Sequence, residues 1–231
     1  MHRALLAAWE KAEAIEQLRL PSAEEGYKVQ TALIEARLER GERLVGYKMG
    51  LTSKAKMAQV GVNEVIFGRL TDAMQVADGG TVEIGRFIHP RVEPEVAFAV
   101  SGGNITHVAP ALELIDSRYK DFEFTLPDVV ADNTSAGAFV IGPWQEAPAG
   151  VDNLGVLLEI DGAVVQVGST AAILGDPRRA VTALSELAFK YGVPLADGVV
   201  LAGAATAAVP LKPGSFVRAV VEGLGTAALR S

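Results

Sequence analysis

Apolar residues recur at helical spacing through the first forty positions and at strand spacing for most of the rest. Leu5, Leu6, Trp9, Ala12, Ile15 and Leu18 follow one another at one-turn intervals, which predicts an amphipathic helix over residues 2–19. The period restarts in "LPSAEEGYKVQTALIEARLERG", where Ser22 can cap a helix, Glu25 completes a capping box, and Gly41 lies just past the end. From residue 44 the texture changes to short Val-, Ile- and Phe-rich runs between glycines: "RLVGYKMG", "VIFGRL", "VEPEVAFAV", "GAFVIG", "LGVLLEIDG", "VVQVG", "GVVLAG" and "FVRAVVEGLGTAALR". Runs of this length and composition read as strands. Asp161 and Gly162 between two of them give the strongest hairpin signal in the chain. One later helix is marked by Asp176 as cap, Pro177 at its first position, the period of "RRAVTALSELAFKY" and Gly192 at its end. The expectation is an α+β protein, one compact unit overall. It has an N-terminal helical segment over 1–43 and a mixed β body over 44–231 with inserted helices.

The polar residues that break the apolar runs carry the candidate chemistry. In "PRVEPEVAF", Glu93 and Glu95 share one strand face, continued by Ala97 and Ala99, while Val92, Val96, Phe98 and Val100 turn the other way. Two solvated surface glutamates are the ordinary outcome for a lone E-x-E pair. A second acidic patch changes that balance: "PALELIDSRY" sets Glu113 and Asp116 in another apolar run, with Arg118 directly after. Acids rising from apolar strands suggest a hard divalent cation, and a site with few carboxylates leaves coordination positions for water or substrate. The chain has no cysteine, and His2, His89 and His107 are scattered, so thiolate zinc sites, disulfides and cysteine nucleophiles are excluded. Any metal is held by oxygen.

Lys48 sits between Gly46 and Gly50, followed by Leu51, Thr52 and Ser53 and a predicted helix start near Lys54. Glycines allow close backbone approach and a helix N-terminus favours an anion, so a carboxylate-bearing substrate suits this corner. Asp72 reads as a turn former or a helix cap. Asp132, Asn133, Thr134 and Ser135 in "VVADNTSAGAFVIG" can hold a polar ligand or satisfy their own backbone. Small residues at 202–208 suit a cavity lining, with Thr206 supplying the hydroxyl.

At 231 residues, with 49% hydrophobic and 21% charged, the chain is long enough for a substantial core. A formal net charge of −7 without a long Lys/Arg cluster makes nucleic acid an unexpected partner. The N-terminal apolar run is too short for a signal peptide and nothing later approaches a membrane span, so a cytoplasmic protein is expected.

Taken together, "GYKMGLTS", "IFGRLTDAM", "HPRVEPEVAF", "ALELIDSRYKDF", "VVADNTSAGAFVIG", "AAILGDP" and "LAGAATAAVPLKPG" resemble the hydratase/decarboxylase family of meta-cleavage aromatic degradation. The resemblance implies a fumarylacetoacetase-like β-roll binding Mg2+ or Mn2+ through Glu93, Glu95 and Glu113. It implies Lys48, Asp72 and Asp116 as catalytic residues, and Leu51, Thr52, Ser53, Arg118, Asn133, Ser135 and Thr206 as substrate contacts. The "KMG" turn and "ELIDSRY" string look more like the decarboxylases of the family than its hydratases. The implied reaction is loss of the distal carboxylate of 2-oxohex-3-enedioate, with Asp116 and Arg118 orienting that end. Alternatives are water addition to 2-oxopent-4-enoate, a C–C hydrolase whose His/Glu pair would need His107, or a non-catalytic cation-binding module. A homo-oligomer, or a complex with the partner hydratase, is expected. One departure stands out: the connection over residues 96–112 is about a dozen residues shorter than the family pattern, which bears on the lid of the site.

Overall fold

The computed structural model describes residues 1–53, 64–148 and 150–231. Helix α1 covers His2–Lys11 and α2 covers Ala23–Leu38. The first is shorter than the expected 2–19. Ala12 adopts a left-handed conformation (φ 51°) that stops it, and Ile15 then runs beside Tyr119, donating its N–H to the Arg118 carbonyl at 2.9 Å. Ile15 and Leu18 still reach the cluster of Leu5, Leu20, Leu33 and Tyr119, so their apolar spacing is used for packing without a helix. Helix α2 starts as expected, the Ser22 hydroxyl accepting the Glu25 N–H at 3.3 Å.

The strands are β1 Leu44–Gly50, β2 Ile66–Thr71, β3 Gln75–Val76, β4 Arg91–Ser101, β5 Asn104–Ile115, β6 Ala136–Ile141, β7 Gln145–Glu146, β8 Gly155–Ile160, β9 Ala163–Ser169, β10 Gly198–Ala204, β11 Val209–Pro210, β12 Phe216–Val221 and β13 Gly225–Arg230. Helices α3 (Leu126–Ala131) and α4 (Arg179–Lys190) are inserted between them. A nine-stranded mixed sheet runs β2-β1-β10-β4-β5-β6-β3, with β11 beside β4 and β7 beside β5; β13-β12-β8-β9 forms a second, antiparallel sheet. Parallel pairing occurs at β1–β10 and β3–β6.

The centre of the larger sheet is the β4–β5 hairpin. Ser101 pairs with Asn104 across Gly102 and Gly103, both at positive φ (56° and 78°), as a tight two-residue turn requires. The segment 96–112 is therefore strand and turn throughout, which is why it supplies no lid. Asp161 and Gly162 (φ 52° and 81°) make the same kind of turn between β8 and β9. Helix α4 begins two residues later than Pro177, because the Asp176 and Pro177 carbonyls first accept the tighter i→i+3 bonds from Arg179 and Ala180. Between the sheets, Val92, Leu112, Leu114 and Val140 pack on Leu158, Val217, Ala219 and Leu229. Val96, Phe98 and Val108 pack with Leu184 and Leu187 of α4.

Candidate active site

Strand alternation places three carboxylates together. Glu93 lies directly opposite Glu113 in the β4–β5 register, and Glu95 follows two residues on, opposite Ala111 of β5 and Ala204 of β10. Their neighbours Val92, Leu112 and Leu114 face the inter-sheet core, so the acids point to the other side. All three are buried, and one oxygen of each lies within 4.8 Å of the others. Ala97, which continues that strand face, packs into a layer with Leu70, Met74, Phe139 and Leu201, which bounds the site on that side.

The electrostatics are those of a cluster short of positive charge. Lys48 of β1 is buried with its Nζ 2.9 Å from Glu113 Oε2, and it donates to the Thr134 carbonyl at 3.0 Å. Glu95 Oε2 accepts the Gly203 N–H at 2.9 Å. Beyond the Lys48 ion pair, Glu95 Oε1 and both Glu113 oxygens have no hydrogen-bond donor in position. Burial, then the Glu113 charge, pushes the Glu95 carboxyl well above its ordinary range. Burial also raises Glu113 to about 7, with the Lys48 ammonium holding it back. Burial works against the Lys48 charge, but Glu113, Glu95 and Glu93 outweigh it and its pKa is raised. Among the described residues of the cluster, three carboxylates face one ammonium. Desolvated acid oxygens lacking donors, with no soft ligand nearby, fit a hard oxygen-seeking dication.

Of these groups, Lys48 and Glu93 line a cavity of about 1080 Å³. Leu51, Thr52 and Ser53 line it, as do Ser135 and Thr206, whose hydroxyl donates to the Ala207 carbonyl. The helix expected from Lys54 falls outside the described residues. Thr52 is fixed by close approach: at Gly203 (φ 110°) an added Cβ would fall 2.1 Å from the Thr52 hydroxyl oxygen. Asn133, Thr134 and Ser135 all hold positive φ (51°, 54° and 56°), a strained turn for residues with side chains. The Asn133 amide ties that turn to β2, accepting the Arg69 N–H and donating to the Arg69 carbonyl, each at 2.8 Å. Gly68 leaves the room for it. The turn aims the Thr134 carbonyl at Lys48 and sets the Thr134 and Ser135 hydroxyls in the cavity wall, buried and without partners.

Several residues singled out in the sequence lie elsewhere. Asp72 accepts the Arg43 backbone N–H and pairs with the Arg43 side chain at 2.9 Å, off the cavity wall. Asp116 accepts the N–H groups of Ile88 and His89 (2.9 and 2.8 Å), fixing the approach to β4. Arg118 is fully committed: it pairs with buried Asp132, donates to the Ala136 carbonyl at 2.8 Å and stacks on Trp9 at 4.4 Å. Burial raises the Asp132 carboxyl to about 6 against that pairing. Asn133 shapes the site without lining it, and His107 is exposed on β5. Thr134, read in the sequence as a possible polar contact, lines the cavity, which also has lining residues that sequence reading passed over: Arg91 and the aromatic pair Phe122 and Phe124. For Arg91 the signal was there, two residues before Glu93 on the same strand face.

A mixed β-roll around buried carboxylates places the chain among metal-dependent enzymes acting on oxo acids, and residues 53–230 match the fumarylacetoacetate (FAA) hydrolase C-terminal family, to which it belongs. More narrowly, it is 49% identical over 215 residues to a 4-oxalocrotonate decarboxylase of Pseudomonas sp., covering 87% of this chain and 84% of that one. It is 33% identical over 227 residues to a 2-hydroxyhexa-2,4-dienoate hydratase of Comamonas testosteroni, covering 90% and 86%. Among solved structures, 4-oxalocrotonate decarboxylase from Pseudomonas putida G7, complexed with magnesium and adipate, superimposes with a TM-score of 0.92 at 35% identity, over 99% of this chain and 95% of that one.

Proposed function

We propose that this protein catalyses the decarboxylation of 4-oxalocrotonate (2-oxohex-3-enedioate) to 2-hydroxypenta-2,4-dienoate and CO2. The observation that carries the reading is the buried Glu93–Glu95–Glu113 triad, paired with Lys48 at Glu113, where Glu93 and Lys48 line a cavity large enough for a six-carbon diacid. Resemblance to the decarboxylases at 49% identity, against 33% for the hydratase, supports decarboxylation over hydration. Glu93, Glu95 and Glu113 would hold Mg2+ or Mn2+, which supplies Lewis-acid charge beside the oxo-acid end of the substrate.

The chain's own residues then do the following. Breaking the C5–C6 bond sends its electron pair through C4 and C3 to the 2-oxo oxygen. The products are CO2 and a dienolate, which takes up one proton to give the hydroxydienoate. Lys48 stands where that oxyanion develops. Two of its three N–H groups are directed at Glu113 and Thr134, leaving one to donate to the substrate. The partnerless hydroxyls of Thr134 and Ser135 offer further donors. The apolar faces of Phe122 and Phe124 exclude water from the distal carbons, lowering the cost of producing neutral CO2. Asp72, Asp116, Arg118 and Asn133 act as positioning residues.

No helix of the described residues is long and apolar enough to cross a membrane, in keeping with a cytoplasmic enzyme. The exposed Val165 and Val167 on edge strand β9 suit burial in a homo-oligomer, which sedimentation would test. The activity itself is tested by supplying 4-oxalocrotonate and 2-hydroxypenta-2,4-dienoate separately to the Mg2+-loaded protein. CO2 release from the first without water addition to the second is expected; the reverse pattern would make it a hydratase.

A further inference from the structure

The geometry points to Arg91 as the residue that recognises the distal carboxylate, and so selects dicarboxylic over monocarboxylic oxo acids. The inference rests on the proposed decarboxylation, whose substrate carries a second carboxylate that the hydratase substrate lacks. Strand alternation puts Arg91 on the same face of β4 as Glu93 and Glu95, one side-chain repeat of about 6.6 Å beyond the metal-binding acids. That offset suits a chain of six carbons whose oxo-acid end sits at the acids. Among the described cavity-lining residues the basic side chains are Lys48 and Arg91. Lys48 is engaged by Glu113 and Thr134, whereas Arg91 makes no ion pair with a described carboxylate, although Asp121 and Glu123 share the cavity wall.

The guanidinium is held in place. It lies over the Phe122 ring at 4.6 Å, and Phe122 itself is fixed at φ 61° in a turn that gives up ordinary backbone geometry to present the ring. The Arg91 backbone is clamped between Ile115 of β5 and Pro210 of β11. An arginine stacked on one face keeps its N–H edge free for a carboxylate and loses little freedom on binding it.

The chemistry also sets what this contact does to the kinetics. The carboxylate it binds becomes neutral CO2, so the ion pair weakens as the C5–C6 bond breaks. Arg91 therefore contributes to substrate affinity and selectivity and not to acceleration of the bond cleavage.

The test uses the Mg2+-loaded enzyme and two oxo acids, 2-oxoadipate and 2-oxopentanoate, with affinities measured by calorimetry. Arg91→Met is expected to weaken 2-oxoadipate at least about tenfold and leave 2-oxopentanoate within about twofold. With 4-oxalocrotonate, KM should rise while kcat is kept or increased. Arg91→Lys, which retains the charge without the planar fork, should fall between the two. Equal weakening of both ligands, no weakening of either, or a loss confined to kcat would overturn the inference. Because the ligand comparison needs no turnover, it reports on Arg91 even if wild-type protein released no CO2, an outcome that would sink the decarboxylase reading instead.

Discussion

Lys48 shows how one side chain is shaped by its surroundings. Burial disfavours its charge, three nearby carboxylates restore it, and the ammonium is kept in position beside the place where the oxyanion forms. Lys48→Met should lower kcat by about 10²–10³-fold, a loss typical of one preorganised donor, in a steady-state CO2 assay. The acids give a second residue-scale prediction. Glu113 is raised to about 7 and Glu95 well above its ordinary value, so both bind protons that a metal must displace. Mn2+ affinity, measured calorimetrically, should therefore weaken as pH falls from 8 to 6; a pH-independent affinity would show that the acids are already ionised without metal. A cation site was legible in the sequence because carboxylates at i and i+2 of one apolar strand, with further acids in another, are costly to bury unless a cation offsets them, while the choice of Glu113 as the third ligand came from the family resemblance. Asp116 and Arg118 were not, because a buried charge at a substrate and a buried charge at a structural partner look alike until the partner is seen. The resemblance assigned Asp72 to the pocket, yet the Arg43 backbone and side chain engage it at the surface.

At the scale of elements, the buried Arg118–Asp132 pair joins the end of β5 to the start of the Asn133–Ser135 turn, while the Trp9 ring of α1 covers the guanidinium. Removing one partner leaves the other charge buried alone. Arg118→Met should cost about 3–5 kcal/mol in chemical denaturation, far more than loss of a surface pair, and a cost below about 1 kcal/mol would contradict the buried-pair role. Strands were readable because Gly-punctuated Val/Ile/Phe runs and a period of two are local properties, and the Asp161–Gly162 turn follows from its own two residues. The end of α1 was not readable. The Ile15 and Leu18 positions fit a helix, and only their distant partner Tyr119 decides for the extended form. The left-handed turn at 133–135 was hidden for the same reason, since its strain is offset by hydrogen bonds to β2, far away in sequence.

For the whole molecule, the N-terminal helices and the β body share their polar groups. The Gln30 side chain of α2 donates to the Phe67 carbonyl of β2 and the Val130 carbonyl of α3, both at 2.9 Å, and Asp128 of α3 accepts N–H groups of Arg19 and Leu20. A chain truncated to residues 44–231 would leave those groups and the surface under α2 exposed. It should lose its cooperative thermal transition; a sharp transition near that of the full chain would show that the β body is autonomous. The same sharing sets the cavity: β1, β4, β5 and β10 bring Lys48 and the triad together, while the 120–125 segment and the 133–135 turn close its sides. The most direct measurement is release of labelled CO2 from 4-oxalocrotonate carrying 13C at C6, followed as Mg2+ is added back to thoroughly chelated protein. The expected result is no release without metal and a saturable recovery reaching one ion per chain, absent in Glu95→Gln. Full CO2 release from the chelated protein would contradict the role given to the three glutamates.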